Sequence, residues 1–157
     1  MYTYLGFGIV THYIYNAFEY VFHRLGHYNH KYNYIYKLHM LHHKKYYPIK
    51  SLQSDTFRGN WEGVIAYTPP TIFLLYGFYM IIPTLYFTLF VSQIGVNIYI
   101  NNYIHTQVHL HKSWLERYDW FLDVRRLHLT HHKKLYTNYS LGYDYTIDKL
   151  SNTYLEE

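Results

Sequence analysis

The chain of 157 residues has the length of one domain, a formal net charge of +4, an aromatic content of 22% and no cysteine. Disulfides, thiolate zinc sites, iron–sulfur clusters and cysteine nucleophiles are therefore excluded, so any metal must be held by imidazole or carboxylate. The fourteen Lys and Arg residues lie beside long apolar runs and form no separate basic domain, which argues against a nucleic acid partner.

The first segment, residues 1–22, is apolar and aromatic and contains no Lys or Arg. It also carries His12, Asn16 and Glu19, so we predict a transmembrane or deeply interfacial helix with one polar face. Glu19 lies four residues before His23 and therefore on the same face of a helix. Two roles are open for this carboxylate: a hydrogen bond to a metal-binding imidazole, or a place at the membrane interface.

Histidines are the strongest chemical signal in the chain, because ten of the thirteen fall into two matching pairs of clusters. In each half an H-x-x-x-H pair precedes an H-x-x-H-H triplet, and these spacings put each cluster on one helix face. The ten residues are His23, His27, His39, His42, His43, His105, His109, His128, His131 and His132. This repetition is far rarer than chance and predicts metal ligation. Ten nitrogen donors exceed the needs of one ion and suit two adjacent metals, which can bind and reduce dioxygen.

The other three histidines, His12, His30 and His111, lie outside this pattern. For them a place at the interface, beside the site or along a substrate channel is favoured over metal ligation. A cluster of neutral imidazoles around metals also needs carboxylates or carbonyls that orient each ring, and Glu19 and Asp144 are candidates.

Between the two histidine regions, residues 63–103 contain no charged side chain. A single helix of this length would reach roughly 60 Å, about twice the ~30 Å thickness of the hydrocarbon layer of a bilayer. We therefore predict a hairpin of two membrane helices, about 61–82 and 84–104, that turns at Pro83. Pro69 and Pro70 are expected to kink the first helix. The alternative is a buried hairpin in a soluble bundle.

Charge distribution predicts how the chain is arranged across a membrane. Seven Lys/Arg lie within residues 24–58 and the other seven within 112–149. Both histidine-rich regions, 23–60 and 105–157, should therefore share one side, which the positive-inside rule makes cytosolic. We predict an all-α integral membrane protein with a single domain, 1–157. Its membrane segments would be about 1–22, 61–82 and 84–104, and a cytosolic helical cap would hold a dimetal site.

The chain resembles the superfamily of membrane-bound fatty acid hydroxylases and sterol desaturases in EYVFHRLGH, KLHMLHH, HTQVHLH, RRLHLTHHKK and NYSLGYDYTIDKLSNTY. These stretches cover most of residues 19–154, in the family's order and around its hydrophobic hairpin. The chain departs from the family in having one N-terminal hydrophobic segment where many relatives have two. Near the end, Ile147-Asp148 and Asn152 stand where relatives carry Trp-Asp and glycine. Asparagine tolerates the left-handed conformation that such a glycine adopts.

The resemblance implies a non-haem di-iron oxygenase of the endoplasmic reticulum membrane that hydroxylates an unactivated lipid C–H bond with O2 and two electrons. The ten clustered histidines would be the ligands of two iron ions, with zinc possible in the purified protein. Electrons would come from a separate carrier such as cytochrome b5 with its reductase, and a homo-oligomer is possible. Four basic residues would steer an acidic carrier or contact anionic headgroups. These are Lys44, Lys45, Lys133 and Lys134.

Several functions remain open from the sequence. The early H-x-x-x-H pair and the NYSLGY ending favour a fatty acyl or sphingolipid chain as substrate, while sterol oxidation or desaturation and carotenoid hydroxylation share the same site. A non-catalytic membrane protein that binds zinc is an alternative of another class, and a soluble, histidine-rich metal-storage bundle is a third. Catalysis requires free coordination positions and an apolar channel, whereas a structural zinc site is closed.

Overall fold

A computed structural model describes residues 2–59 and 61–156, and this part of the chain is helical without a strand. Its long helices are α1 (Tyr2–Gly26), α2 (Tyr34–Leu41), α3 (Trp61–Tyr79), α4 (Thr84–Val108) and α5 (Asp119–Lys133), and α6 is the short Thr146–Leu150. A π-helical turn, His42–Tyr46, continues α2, and a 3₁₀ turn, Trp114–Arg117, precedes α5. An isolated bridge pairs Ser54 with Leu110. The prediction of an all-α fold is confirmed.

The charge-free run forms the helical hairpin that the sequence predicts. Pro83 precedes α4 with φ −53°, the ring-constrained value that suits the start of a helix. Pro69 and Pro70 lie inside α3, and the helix continues through them. The bounds differ from the prediction at both ends, because α3 stops at Tyr79 and α4 extends to Val108. The longer α4 therefore carries a histidine in its last turn.

The predicted crossing of a membrane by residues 1–22, 61–82 and 84–104 requires a correction. Within residues 2–59 and 61–156, the length and apolarity needed for a membrane span are not combined in any helix. Length is sufficient in α1 and α4, which have 25 residues each, and in α3, which has 19. Tyrosines and Thr, Ser, Gln, Asn, His and Glu side chains lower the mean hydropathy of these helices.

The hydrophobic core lies where the end of α4 meets α5 and the C-terminal segment. Its buried members are Ile104, Val108, Leu115, Phe121, Val124, Leu127 and Tyr145. The approach to α5 is set by a capping box, in which the Ser113 hydroxyl accepts from the Leu115 N–H and the Glu116 carboxylate accepts from the Ser113 N–H. Glu116 also pairs with Arg125 at 2.7 Å. This packing leaves the histidines of α5 facing the other helices.

Two asparagines let the C-terminal segment turn back onto the rest of the fold. Asn138 has φ 50° and Asn152 has φ 55°, both in the left-handed region. Asn152 adopts the left-handed conformation that the sequence analysis considered tolerable for asparagine. Asn138 is fully buried, and its amide donates to the carbonyls of Leu127 and Leu155. The segment after α5 is thereby held against α5.

Candidate metal centre

The fold brings the ten clustered histidines together from four regions: the end of α1, the junction of α2 with the π turn, the end of α4, and α5. Nine of them form two groups, in each of which the donor nitrogens all lie within 4.8 Å of one another. The first histidine group is His23, His27, His39, His43 and His131. The second histidine group is His42, His105, His109 and His128. His132 adjoins the second histidine group, with Nε2 3.2 Å from Nε2 of both His42 and His128, and its ring centroid lies 4.1 Å from that of His43 in the first.

The π turn after α2 directs neighbouring histidines to different groups. His39 and His43 lie side by side in the first histidine group, with their Nε2 atoms 3.0 Å apart. His42, adjacent in sequence, turns instead toward His105 of the second histidine group, at 3.2 Å between Nε2 atoms. Single π turns of this kind inside α-helices are frequent at functional sites. A regular α-helical spacing alone does not predict this division.

Backbone carbonyl groups orient most of the rings whose Nδ1 atoms have partners. The pairs are His23 with Tyr139, His131 with Thr137 (2.6 Å), His109 with Leu52 (2.8 Å) and His132 with Tyr47 (3.2 Å). A carbonyl oxygen only accepts, so each of these Nδ1 atoms carries the proton and each Nε2 keeps its lone pair. His39 is held differently, by a hydrogen bond between its Nδ1 and the Tyr67 hydroxyl at 3.2 Å.

These residues fit a pair of metal ions. Nε2 of His23 and of His131 is buried and has no hydrogen-bond partner among the residues that the structure describes. A buried polar atom left unpaired costs about 1–3 kcal/mol, and a bound metal removes that cost. Contacts such as Nε2 of His27 to Nε2 of His39 measure 3.0 Å. That spacing matches two ligands about 2.1 Å from one ion and at right angles, which are about 3.0 Å apart.

Electrostatics also favours metal binding. Burial, reinforced for most of them by neighbouring histidines, lowers the pKa of all ten below 6.5. For His23, burial lowers the pKa to about 4. The rings are therefore neutral at pH 7, and neutral imidazole is the form that binds a metal.

A cavity of about 570 Å³ opens directly beside the two groups. Four clustered histidines form its inner end: His23, His39, His42 and His105. Its other walls come mostly from apolar side chains of α1, α3 and α4, including Phe18, Phe22, Phe78 and Phe90. The volume and lining suit an apolar small molecule or part of a hydrocarbon chain.

Comparison with known proteins identifies the family. A family model described as fatty acid hydroxylase matches residues 8–153. The chain belongs to the fatty acid hydroxylase family. That family is part of the fatty acid hydroxylase and sterol desaturase superfamily, so the resemblance seen in the sequence is confirmed. Searches of curated proteins and of solved structures gave no match. Membership of this family makes the chain an oxygenase-type oxidoreductase with a metal site.

The two carboxylates proposed to orient histidine rings have other hydrogen-bond partners. Glu19 accepts a hydrogen bond from Asn101 at 2.7 Å. Asp144 accepts from Asn16 at 2.9 Å and pairs with His12 at 3.0 Å. In residues 2–59 and 61–156 neither carboxylate has a hydrogen bond to a clustered histidine. Backbone carbonyls accept from the Nδ1 atoms of four clustered histidines instead.

The three histidines outside the pattern also lie outside both histidine groups. His12 forms the pair with Asp144, and His30 and His111 are exposed. These positions agree with the prediction that the three residues do not bind the metals.

The sequence analysis missed Asp148 as a residue of the site. This carboxylate is fully buried and accepts from the backbone N–H of Tyr139 at 2.7 Å and of Ser140 at 2.9 Å. It therefore holds the peptide segment whose Tyr139 carbonyl accepts from His23. The stretch NYSLGYDYTIDKL contains it, but a side chain that acts through backbone groups leaves no pattern of its own.

Proposed function

We propose that the chain is a di-iron lipid hydroxylase that converts a C–H bond of a fatty acyl or sphingolipid chain to C–OH. The reaction would consume O2, two electrons and two protons and release one water. The supporting observation is the contact between the apolar cavity and both histidine groups. His23 and His39 of the first histidine group and His42 and His105 of the second all line it. A hydrocarbon chain in this cavity would lie against both groups.

The protein's own residues would have three tasks in this reaction. The ten clustered histidines would hold the two metal ions, and the carbonyls of Tyr47, Leu52, Thr137 and Tyr139 would fix ring directions. The apolar walls of the cavity would exclude water and position the chain. When bound, the metals supply the binding and reduction of O2. Iron fits this task, whereas zinc has no redox chemistry.

The opening onto the site distinguishes this proposal from a structural zinc site. A structural zinc ion is closed off by four protein ligands. Here four histidines of the two groups border an open cavity. We therefore favour catalysis over a non-catalytic zinc-binding protein.

We further propose that the chain works in association with a membrane, where its lipid would be found. Large apolar side chains on the outer surfaces of α1, α3 and α4 support this, for example Leu5 (64% exposed), Phe73 (80%) and Tyr99 (72%). Soluble monomers seldom expose large contiguous apolar patches. The endoplasmic reticulum and a cytosolic site remain predictions from the family resemblance and the charge distribution.

For electron supply we propose an acidic carrier, such as cytochrome b5 with its reductase. Lys44 and Lys45 in the π turn and Lys133 at the end of α5 are exposed, and Lys44 and Lys133 each directly follow a clustered histidine in sequence. Lys134 is exposed beside them. A basic surface so close to the metals would attract an acidic protein and shorten the path of the electrons.

The test combines metal analysis with a lipid profile of cells that express the protein. Protein purified under reducing conditions should contain about two iron ions per chain, and the cells should gain hydroxylated fatty acyl or sphingolipid species. His42→Ala should abolish these products, whereas His30→Ala, an exposed histidine outside both groups, should retain them. Products restricted to sterols or carotenoids would replace the proposed substrate. An unchanged lipid profile together with one zinc ion per chain would refute the oxygenase.

A further inference from the structure

The wall of the cavity contains a polar cluster that the metal centre does not use. Asn101 is buried and donates to the Glu19 carboxyl at 2.7 Å and to the Tyr15 hydroxyl at 3.0 Å. All three residues line the cavity that ends on the clustered histidines. Glu62, another carboxyl group in this wall, accepts from the Tyr46 hydroxyl at 2.5 Å. Tyr15, Glu19 and Asn101 together form the polar cluster.

The polar cluster lies one helical turn from both histidine groups. Glu19 precedes His23 of the first histidine group by four residues on α1, and Asn101 precedes His105 of the second by four residues on α4. Four residues of α-helix advance about 6 Å. A ligand atom bound by the polar cluster would therefore lie a few carbon–carbon bonds from the metal centre.

The direction of the hydrogen bonds determines which ligand atom fits. Both amide hydrogens of Asn101 are engaged by Glu19 and Tyr15. Burial raises the pKa of Glu19 to about 8, so at pH 7 this carboxyl carries a proton. The Glu19 and Tyr15 hydroxyl protons are then the two donors of the polar cluster. Such donors suit an oxygen acceptor, namely a carbonyl or a hydroxyl oxygen.

The loop after α5 passes close to the Asn101 amide. A side chain at Gly142 would approach the Asn101 Oδ1 atom to 2.7 Å, so only glycine fits here without displacement. The amide nitrogen is directed at Glu19 and Tyr15 by its two hydrogen bonds. Apolar side chains would join α1 to α4 without the cost of burying a carboxyl group, so helix packing alone does not account for the polar cluster.

We propose that Tyr15, Glu19 and Asn101 form a subsite that binds an oxygen acceptor of the lipid and so selects which carbon reaches the metal centre. The substrate would then carry a carbonyl or hydroxyl group a few bonds from the oxidised C–H bond. This inference rests on the proposed function and adds the specificity of the same cavity to it.

The test compares two probes of equal chain length, a long-chain fatty acid amide and the corresponding n-alkane. Binding to the metal-free protein in detergent is measured by displacement of a fluorescent fatty acid. Glu19→Leu should weaken amide binding on the order of tenfold, because a hydrogen bond in a buried site is lost, and should change alkane binding little. Glu19→Gln retains a donor and an acceptor and should restore most of the amide affinity.

Two further variants separate recognition from folding and from cavity shape. Tyr15→Phe removes a single hydroxyl and should lower amide binding a few fold, even if Glu19→Leu does not fold. Phe18→Leu changes an apolar part of the wall and should weaken both probes alike. In the metal-loaded enzyme, Glu19→Leu should also broaden the positions that are hydroxylated.

The possible outcomes separate the subsite from the proposed function. If Glu19→Leu and Tyr15→Phe weaken both probes equally, or neither, the subsite is refuted while the lipid cavity stands. If the wild-type protein binds neither probe, the lipid cavity and the subsite fail together. A preference for the amide that disappears in Tyr15→Phe supports the subsite.

Discussion

The first histidine group takes four of its five members from the first half of the chain, whereas the second takes three of its four from the second half. His131 lies in the second half of the chain but belongs to the first histidine group. His42 lies in the first half but belongs to the second histidine group. The supports differ as well. The segment after α5 holds rings of the first histidine group through Thr137 and Tyr139. The loop after the π turn holds His109 of the second histidine group through Leu52.

This exchange means that neither half of the chain can build a metal site alone. Each group includes one histidine from the other half, and His132 places its Nε2 atom beside His42 and His128 of the second histidine group. Metal binding is therefore coupled to the docking of α5 against α1 and α2. The two sites are also separable in principle, because different backbone segments support their rings.

The largest expected effect concerns both groups at once and follows from the lowered pKa values. In the unfolded chain histidine has a pKa near 6.5, whereas burial lowers the pKa of His23 and His109 to about 4 in the folded state. Below pH 6.5 the unfolded state binds more protons, so stability falls as the pH falls. Each such histidine contributes about 1.4 kcal/mol per pH unit. The metal-free protein should lose its folded structure steeply between pH 6.5 and 4.

Circular dichroism melts of the metal-free and the metal-loaded protein check this expectation. The metal-loaded protein should remain folded to lower pH, since protons must displace the ions first. A melting temperature of the metal-free protein that does not change from pH 7 to pH 5 would contradict the burial of these rings.

The second prediction tests whether the two histidine groups bind metal independently. It removes the two residues that join a group formed mainly by the other half of the chain. His131→Ala should reduce metal binding at the first histidine group only, and His42→Ala at the second only, leaving about one ion per chain in each variant. His132→Ala should weaken metal binding at the second histidine group more than at the first, because its Nε2 atom adjoins His42 and His128. Metal analysis of the three variants beside His111→Ala, which lies outside both groups, measures this. Equal loss of both ions in His131→Ala and His42→Ala would show that the groups are not separable.

The third prediction addresses the support of the first histidine group. Asp148→Asn replaces one of the acceptors that hold the Tyr139 and Ser140 N–H groups. Tyr139 would then hold the His23 ring less firmly, and the metal affinity of the first histidine group should fall about 10–100-fold. The second should be little affected. Asp123→Asn, which alters the exposed pair with Arg126, is the matched control. A fall in metal affinity at the second histidine group instead would contradict this role of Asp148.

The contrast between histidines and their supports explains what the sequence could predict. Ligand residues repeat at spacings of three and four, so the ten histidines and the family resemblance were found from local pattern. The carbonyls of Tyr47 and Tyr139 could not be found, because every residue has a carbonyl and only the tertiary fold selects one. The π turn and the crossing of His42 likewise depend on packing between distant segments.

The helical hairpin and its environment differ in the same way. Pro83 acts locally through its fixed φ, and the turn was predicted correctly. Whether a charge-free helix is apolar enough for a bilayer depends on all its side chains, and tyrosine and asparagine lowered that total here. The helix of Glu19 was predicted, but its hydrogen bond from Asn101 was not, since Asn101 is distant in sequence.

The smallest expected effect tests how far the first histidine group depends on the C-terminal turn. Asn152 holds φ 55°, and the next residue, Thr153, donates its hydroxyl to Asp148 at 2.8 Å. Asn152→Ala should cost about 1 kcal/mol in the free energy of unfolding, because a side chain without a local hydrogen bond disfavours this conformation. Asn152→Gly should be neutral or slightly stabilising. Urea denaturation of both variants measures the difference.

Because Thr153 bonds to Asp148, the alanine variant should also bind metal slightly less tightly at the first histidine group than at the second. Equal stability of the alanine and glycine variants would mean that the turn relaxes without strain. The substitution would then have no effect on metal binding by the first histidine group.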